Sequence, residues 1–210
     1  MTCLLYVDTC TDRRRKVGDA SLPGCGQAGR GGQHRQLSGT LAIIREVYEQ
    51  VRHRPPVRLT QPRELVVACA PTRSHVNLAG MVRTAGCCAV ERVIVCGNTR
   101  IDPRIARNST EQTSIEYRRT LMPALRALAQ DGYILVGLEQ TTNSFNLHEY
   151  QFPRRCALVI GNERLGLSQE ELALMDACVE IPVWGLPHSY NVAVAAAMVL
   201  YEYCKQYPNG

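Results

Sequence analysis

The stretch RCALVIGNERLGLSQEELALMDACVEIP, residues 155–182, decides the fold. Its first part, RCALVIGNE, is an apolar run that ends on Gly161-Asn162-Glu163. SQEELALMD then begins a short helix. Ser168 and Glu171 stand three apart, the spacing of a capping box in which the serine hydroxyl and the glutamate carboxylate each satisfy the other's backbone amide. ACVEIP, residues 177–182, is a second apolar strand. Strands of continuous apolar residues are buried on both faces, and when helices separate them they form a parallel sheet covered by helices on both sides. The class this stretch predicts is α/β.

Working outward, the same alternation holds. ELVVACA (64–70) and RVIVCG (92–97) read as strands, the second closed by Gly97-Asn98, and HVNLAGMVRTAGCCA (75–89) between them reads as a helix stopping near Gly86. RTLMPALRALAQDG (119–132) is a helix with Gly132 at its C-terminus, YILVGLEQ (133–140) is a strand, and residues 189–204 form the last helix. That makes five strands. In open α/β sheets ligands sit beyond the carboxyl ends of the strands, so the candidate site turns are 138–143, 161–167 and 182–191. None of them carries GxGxxG or GxxxxGK[ST], which argues against a pyrophosphate cradle. HSYN (188–191) lacks the GxSxG elbow of a hydrolase, and taken alone Ser189 reads as the N-cap of the last helix.

Composition sets the remaining bounds. The chain has 210 residues, 45% hydrophobic and 20% charged, enough for one good core and a small appendage. The longest apolar stretch, Val192 to Tyr201, is too short to span a bilayer, so no membrane association is expected. The N-terminus places its apolar residues before its basic ones, the reverse of a secretory signal, so no export signal is expected. Ten cysteines suggest a disulfide framework, yet Cys69, Cys96, Cys156 and Cys178 fall in or beside strand-like runs and Cys87 and Cys88 are adjacent. With no CxxC pair and no His pair at ligand spacing, no metal site is expected, and a reduced, cytoplasmic protein is the reading.

The charge is unevenly placed. Residues 1–64 hold 11 Lys/Arg against 6 Asp/Glu, and the rest of the chain is balanced at 13 and 13. Residues 1–38 are rich in Gly, Arg and small polar residues and read as a basic, disordered leader. Residues 39–64 read as a short amphipathic helix (40–53) followed by a linker, and 65–210 as the main domain. A basic leader fits nucleic-acid contact and fits a solvated tail equally well.

Three segments then act together. They are NLAGMVRTAG, with Asn77 and Arg83; LVIGNERLGLS, with Gly161, Asn162, Glu163 and Gly166; and CVEIPVWGLPHSYNVAVAAAMVLYEYCKQ. In this order they resemble the three motifs of the SpoU/TrmH branch of the SPOUT RNA methyltransferases, over about residues 65–206. VGLEQTTNSFNL (136–147) is similar to the corresponding stretch of the eukaryotic-type tRNA guanosine-18 2'-O-methyltransferases.

The resemblance implies a parallel α/β sheet whose C-terminal segment forms a deep trefoil knot. It implies S-adenosyl-L-methionine as cofactor, held by Leu138, Gly161, Ile181, Leu186, Ser189 and the main chain near Ala193. Pro182 to Pro187 would be the knot turn, with Gly185 admitting a close backbone approach. Methyl transfer to an RNA ribose 2'-hydroxyl would rest on Arg83, with Asn77, Glu163, Ser189 and Asn191 as its polar shell. The implied substrate is tRNA, with ribosomal RNA as the alternative, and the implied assembly is a homodimer through the knot region. Two readings of another kind stand beside this one: a knotted RNA-binding module without catalysis and a generic nucleotide-binding protein. Ala193 departs from the pattern, since many members carry a second serine there.

Overall fold

The computed structural model describes residues 49–210. The leader, 1–38, and most of the segment expected to be helical over 40–53 lie outside the described residues; residues 49–53 form no helix. The sheet is built from β1 (Leu65–Cys69), β2 (Arg92–Cys96), β3 (Ser114–Arg118), β4 (Ile134–Leu138), β5 (Phe145–Asn146), β6 (Cys156–Ile160) and β7 (Ala177–Glu180). Its seven strands run in the order β3-β2-β1-β6-β4-β7-β5, and every pairing is parallel.

The five expected strands are all present, and they occupy the five inner positions of the sheet. Two more were not anticipated, both at the sheet edges. β3 reads SIEYR and has no fully buried residue, because an edge strand needs little apolar cover; β5 is only two residues long.

Helices cover both faces. α1 (His75–Cys87) and α6 (Val192–Gln206) lie on one side, where Leu65, Val67 and Cys69 of β1 meet Leu78, Val82, Val199, Leu200 and Tyr203. α4 (Leu121–Gln130) lies on the other, where Val66 and Ala68 meet Leu121, Leu125 and Leu128. Adjacent residues of one strand thus feed opposite cores, which is why the strand carries no polar alternation. Two short helices, α2 (Pro103–Ala106) and α3 (Ser109–Gln112), pack against α1. Gly86 is required there: a Cβ on it would collide with Ser109. α5 (Gln169–Leu172) begins on Ser168, and both halves of the capping box form.

One helix boundary and one linker differ from expectation. α6 starts at Val192 rather than 189, and its N-cap is Asn191, whose Oδ1 accepts the amides of Ala193 (3.0 Å) and Val194 (3.4 Å). Ser189 is therefore not a cap and is left to the turn. The expected linker is also more than a linker at its end. The Thr60 amide donates to Asn209 O (2.9 Å), and buried Arg63 donates to Tyr207 O (2.6 Å). The segment leading into β1 is thereby tied to the chain just beyond α6.

The seven described cysteines carry no disulfide. Among the described residues no group of His, Cys, Asp or Glu is placed to hold a metal ion, and no helix is long and apolar enough to cross a membrane.

Candidate active site

Because all strands are parallel, their carboxyl ends share one edge. There the ends of β6, β4 and β7 open onto a cavity of about 360 Å³. The three turns singled out in the sequence supply most of its wall: Leu138, Glu139 and Gln140 from the first, Gly161 to Gly166 from the second, and Val183, Ser189 and Tyr190 from the third. Ile160, Ile181, Val192 and Ala195 complete it. The volume falls in the range of about 300–1,000 Å³ typical of small-molecule sites. An apolar wall of leucine, isoleucine and valine faces a rim of Glu139, Asn162, Glu163 and Ser189, the composition that lets such a site bind a flat apolar group and orient it by a few polar contacts.

The turn after β6 is held by its own backbone. Asn162 N donates to Gly166 O (3.1 Å) and Gly166 N donates to Asn162 O (2.9 Å). The Asn162 side chain locks it further, since Oδ1 accepts the amides of Arg164 (3.0 Å) and Leu165 (3.2 Å) while Nδ2 donates to Pro71 O (2.7 Å). Glu163 reaches out of this turn to accept the Ser74 amide at 3.3 Å, just ahead of α1. Glu139 accepts the Leu167 amide at 2.9 Å and so fastens the β4 turn to the β6 turn. Gly161 sits where the two backbones press together: a Cβ there would lie 2.5 Å from Gly166 C and 2.7 Å from Leu167 N.

The two outer helices are joined across the site by their asparagines. Asn191 Nδ2 donates to Asn77 Oδ1 at 3.1 Å, while the Asn77 amide donates to Ser74 Oγ, the N-cap of α1. Thus Glu163, Asn77 and Asn191 come from three elements and form one connected polar group with Ser74.

Of the expected cofactor-binding residues, Leu138, Gly161, Ile181 and Ser189 line the cavity. Leu186 does not; it is 81% exposed. Ala193 lies just behind Val192, facing Gly80 of α1. No protein atom crowds Gly185: a Cβ on it would meet nothing within 4 Å. Of the expected catalytic group, Glu163 and Ser189 line the cavity and Asn77 and Asn191 pair beside it. Arg83 is exposed on α1, outside the lining, and its side chain is not ion-paired to a described carboxylate.

Sequence reading passed over Glu139, Asn162 and Tyr190 as individuals. Asn162 carried a signal, since asparagine between two glycines of a strand-end turn is placed to bond its own backbone two residues on.

Residues 64–201 match the SpoU rRNA Methylase family. The chain is 33% identical over 148 residues to the mouse tRNA (guanosine(18)-2'-O)-methyltransferase TARBP1, covering 68% of this chain and 9% of that protein. It is 28% identical over 149 residues to the Escherichia coli K12 tRNA (guanosine(18)-2'-O)-methyltransferase, covering 70% of this chain and 65% of that protein. Among solved structures it is similar to the AdoMet-bound rRNA methyltransferase of Sinorhizobium meliloti, with a TM-score of 0.62 and 25% identity over 73% of this chain and 61% of that one.

Proposed function

The chain belongs to the SpoU rRNA Methylase family, and from that membership we propose that it is an S-adenosyl-L-methionine-dependent RNA methyltransferase. The acceptor is a ribose 2'-hydroxyl, and the target is guanosine-18 in the D-loop of tRNA. One observation carries the proposal: the turns of the second and third motifs and of the VGLEQTTNSFNL stretch converge on one cavity, beside the first motif's Asn77 paired with Asn191.

The wall formed by Leu138, Ile160, Ile181 and Val192 suits an adenine ring, and the tight backbone at Gly161 suits close contact with the ligand. Bound there, the cofactor supplies a methyl group on a sulfonium, an electrophile that needs no metal. The 2'-hydroxyl is a weak nucleophile and must shed its proton as it attacks. A guanidinium is a poor proton acceptor, so Arg83 serves by orienting the ribose and stabilising the developing alkoxide, while an RNA phosphate or water takes the proton. Asn77 and Asn191 position α1 against α6, Glu163 ties the turn after β6 to the start of α1, and Ser189 faces the reacting groups from the third turn.

The same reading includes the trefoil knot, a homodimer and a cytoplasmic setting. The non-consecutive order β6-β4-β7 and the return of α6 onto α1 support the knot. Exposed Val194, Met198 and Tyr201, spaced along one side of α6, support the dimer. The seven described cysteines, none in a disulfide and most of them buried in or beside the sheet, support a reducing compartment.

The test is transfer from labelled S-adenosyl-L-methionine to unmodified tRNA and to ribosomal RNA, by wild type and Arg83→Ala, with the modified nucleotide mapped. A 2'-O-methyl on guanosine-18 that falls by roughly 10²–10³-fold in Arg83→Ala is expected, the scale of losing one preorganised charge-stabilising donor. Transfer to ribosomal RNA alone would replace the substrate. Cofactor binding without transfer to either RNA would favour the non-catalytic module.

A further inference from the structure

The carboxyl edge that bears the cavity is electrically lopsided. Going outward from the cavity through β6, β1, β2 and β3, the turn after each strand carries an arginine: Arg164, Arg73, Arg100 and Arg119. All four are exposed, and none is ion-paired to a described carboxylate. In the other direction, the turns after β4 and β7 contain no arginine or lysine; the first begins on Glu139, and β7 itself ends on Glu180. At the opposite, amino edge three arginines are neutralised: Arg154 and Arg155 pair with Glu64, and Arg92 pairs with Glu116. Residues 65–210 hold equal numbers of basic and acidic side chains, so the uncompensated row reflects placement rather than composition.

The turns that carry the row are stitched to one another. Gly97 N donates to Arg118 O (2.9 Å), Thr99 Oγ1 donates to Thr72 O, and Asn162 Nδ2 donates to Pro71 O (2.7 Å). The links run from the end of β3 to the turn after β2, then to the turn after β1 and to the turn after β6, which makes the row a fixed ledge. Three strand spacings of about 4.8 Å give it a length of about 14 Å. Tyr117, 61% exposed on edge strand β3, adds an aromatic face at its far end.

Resting on the activity proposed above, we infer that this ledge is the track for the RNA strand that delivers the target ribose. Successive phosphates seat on Arg119, Arg100, Arg73 and Arg164, and the strand enters the cavity from the β3 side. Arginine forks fit phosphate oxygens with two parallel bonds, Tyr117 offers a stacking surface to an unpaired base, and Glu139 and Glu180 repel a strand approaching from the other side. The ledge contacts backbone rather than bases, so it sets the direction of approach and not the choice of nucleotide.

The test measures binding of the full chain to fluorescently labelled, unmodified tRNA between 50 and 200 mM salt. The triple variant Arg73→Gln/Arg100→Gln/Arg119→Gln is expected to weaken binding and to flatten the dependence of log K on log salt by about 2, from three contacts at ~0.7 each for a single strand. Arg126→Gln, an exposed arginine on α4 away from this edge, is expected to leave the slope unchanged. Calorimetry of S-adenosyl-L-methionine binding checks that the triple variant keeps its cavity. If it does not fold, Arg100→Gln alone, with a slope change of about 0.7, decides. A triple variant that binds tRNA with the wild-type slope overturns the track and leaves the proposed activity standing. Wild type that binds neither tRNA nor ribosomal RNA overturns both.

Discussion

Two glycines separate what a residue says in sequence from what it does in place. Gly185 sits between two prolines in the most conspicuous turn of the chain, yet open space surrounds it. Gly161 stands at an ordinary strand end, and the backbone of Gly166 and Leu167 leaves no room for a Cβ. The difference is invisible along the chain because it depends on a second backbone segment folding back. Gly161→Ala is expected to cost about 1–3 kcal/mol, the usual range for forcing an extra carbon into a packed site. It should also weaken S-adenosyl-L-methionine binding, since the turn that must shift lines the cavity; melting temperature and calorimetric affinity would fall together. Ser189 shows the same lesson in reverse. Its type and position suited an N-cap, but Asn191 takes that role with two amides, which frees Ser189 to line the cavity.

At the scale of elements, the central strands were legible because burial on both faces demands continuous apolar residues. The capping box of α5 was legible because its two side chains contact only each other's backbone. Edge strands β3 and β5 were not legible, since neither needs an apolar signature to hold its place. The turns at the carboxyl ends could be located, and they do meet at the cavity, but which of their side chains face inward required the third dimension. The Asn191–Asn77 bond is of this kind: it joins residues 114 apart. Asn191→Ala is expected to destabilise the chain by about 1 kcal/mol through loss of the cap. A double-mutant cycle with Asn77→Ala, read by denaturant unfolding, should show coupling of about 0.5 kcal/mol or more, because the two side chains touch. Strict additivity would mean the pair contributes nothing beyond the cap.

At the scale of the whole molecule, charge is distributed in two blocks. One is the arginine ledge beside the cavity; the other is the excess of basic residues in the first 64 positions, 11 against 6 acidic. If both blocks contact RNA, deletion of residues 1–38 is expected to weaken tRNA binding and flatten its salt dependence, while binding of S-adenosyl-L-methionine stays unchanged. Identical salt slopes for the full and truncated chains would assign the leader no part in RNA contact. The two deletions, of leader and of ledge, should add, because they remove separate phosphate contacts.

The bonds that tie Thr60 to Asn209 and Arg63 to Tyr207 have a consequence for how such a domain travels through evolution. A domain whose entry and exit lie side by side can be spliced into or appended to a host chain without a spacer and without disturbing the host's own path. In the mouse relative the matching region makes up 9% of the chain and so sits within a much longer protein. A module with adjoining ends can be carried by very different neighbours, and its surroundings, rather than its interior, would then be the place where new contacts are acquired.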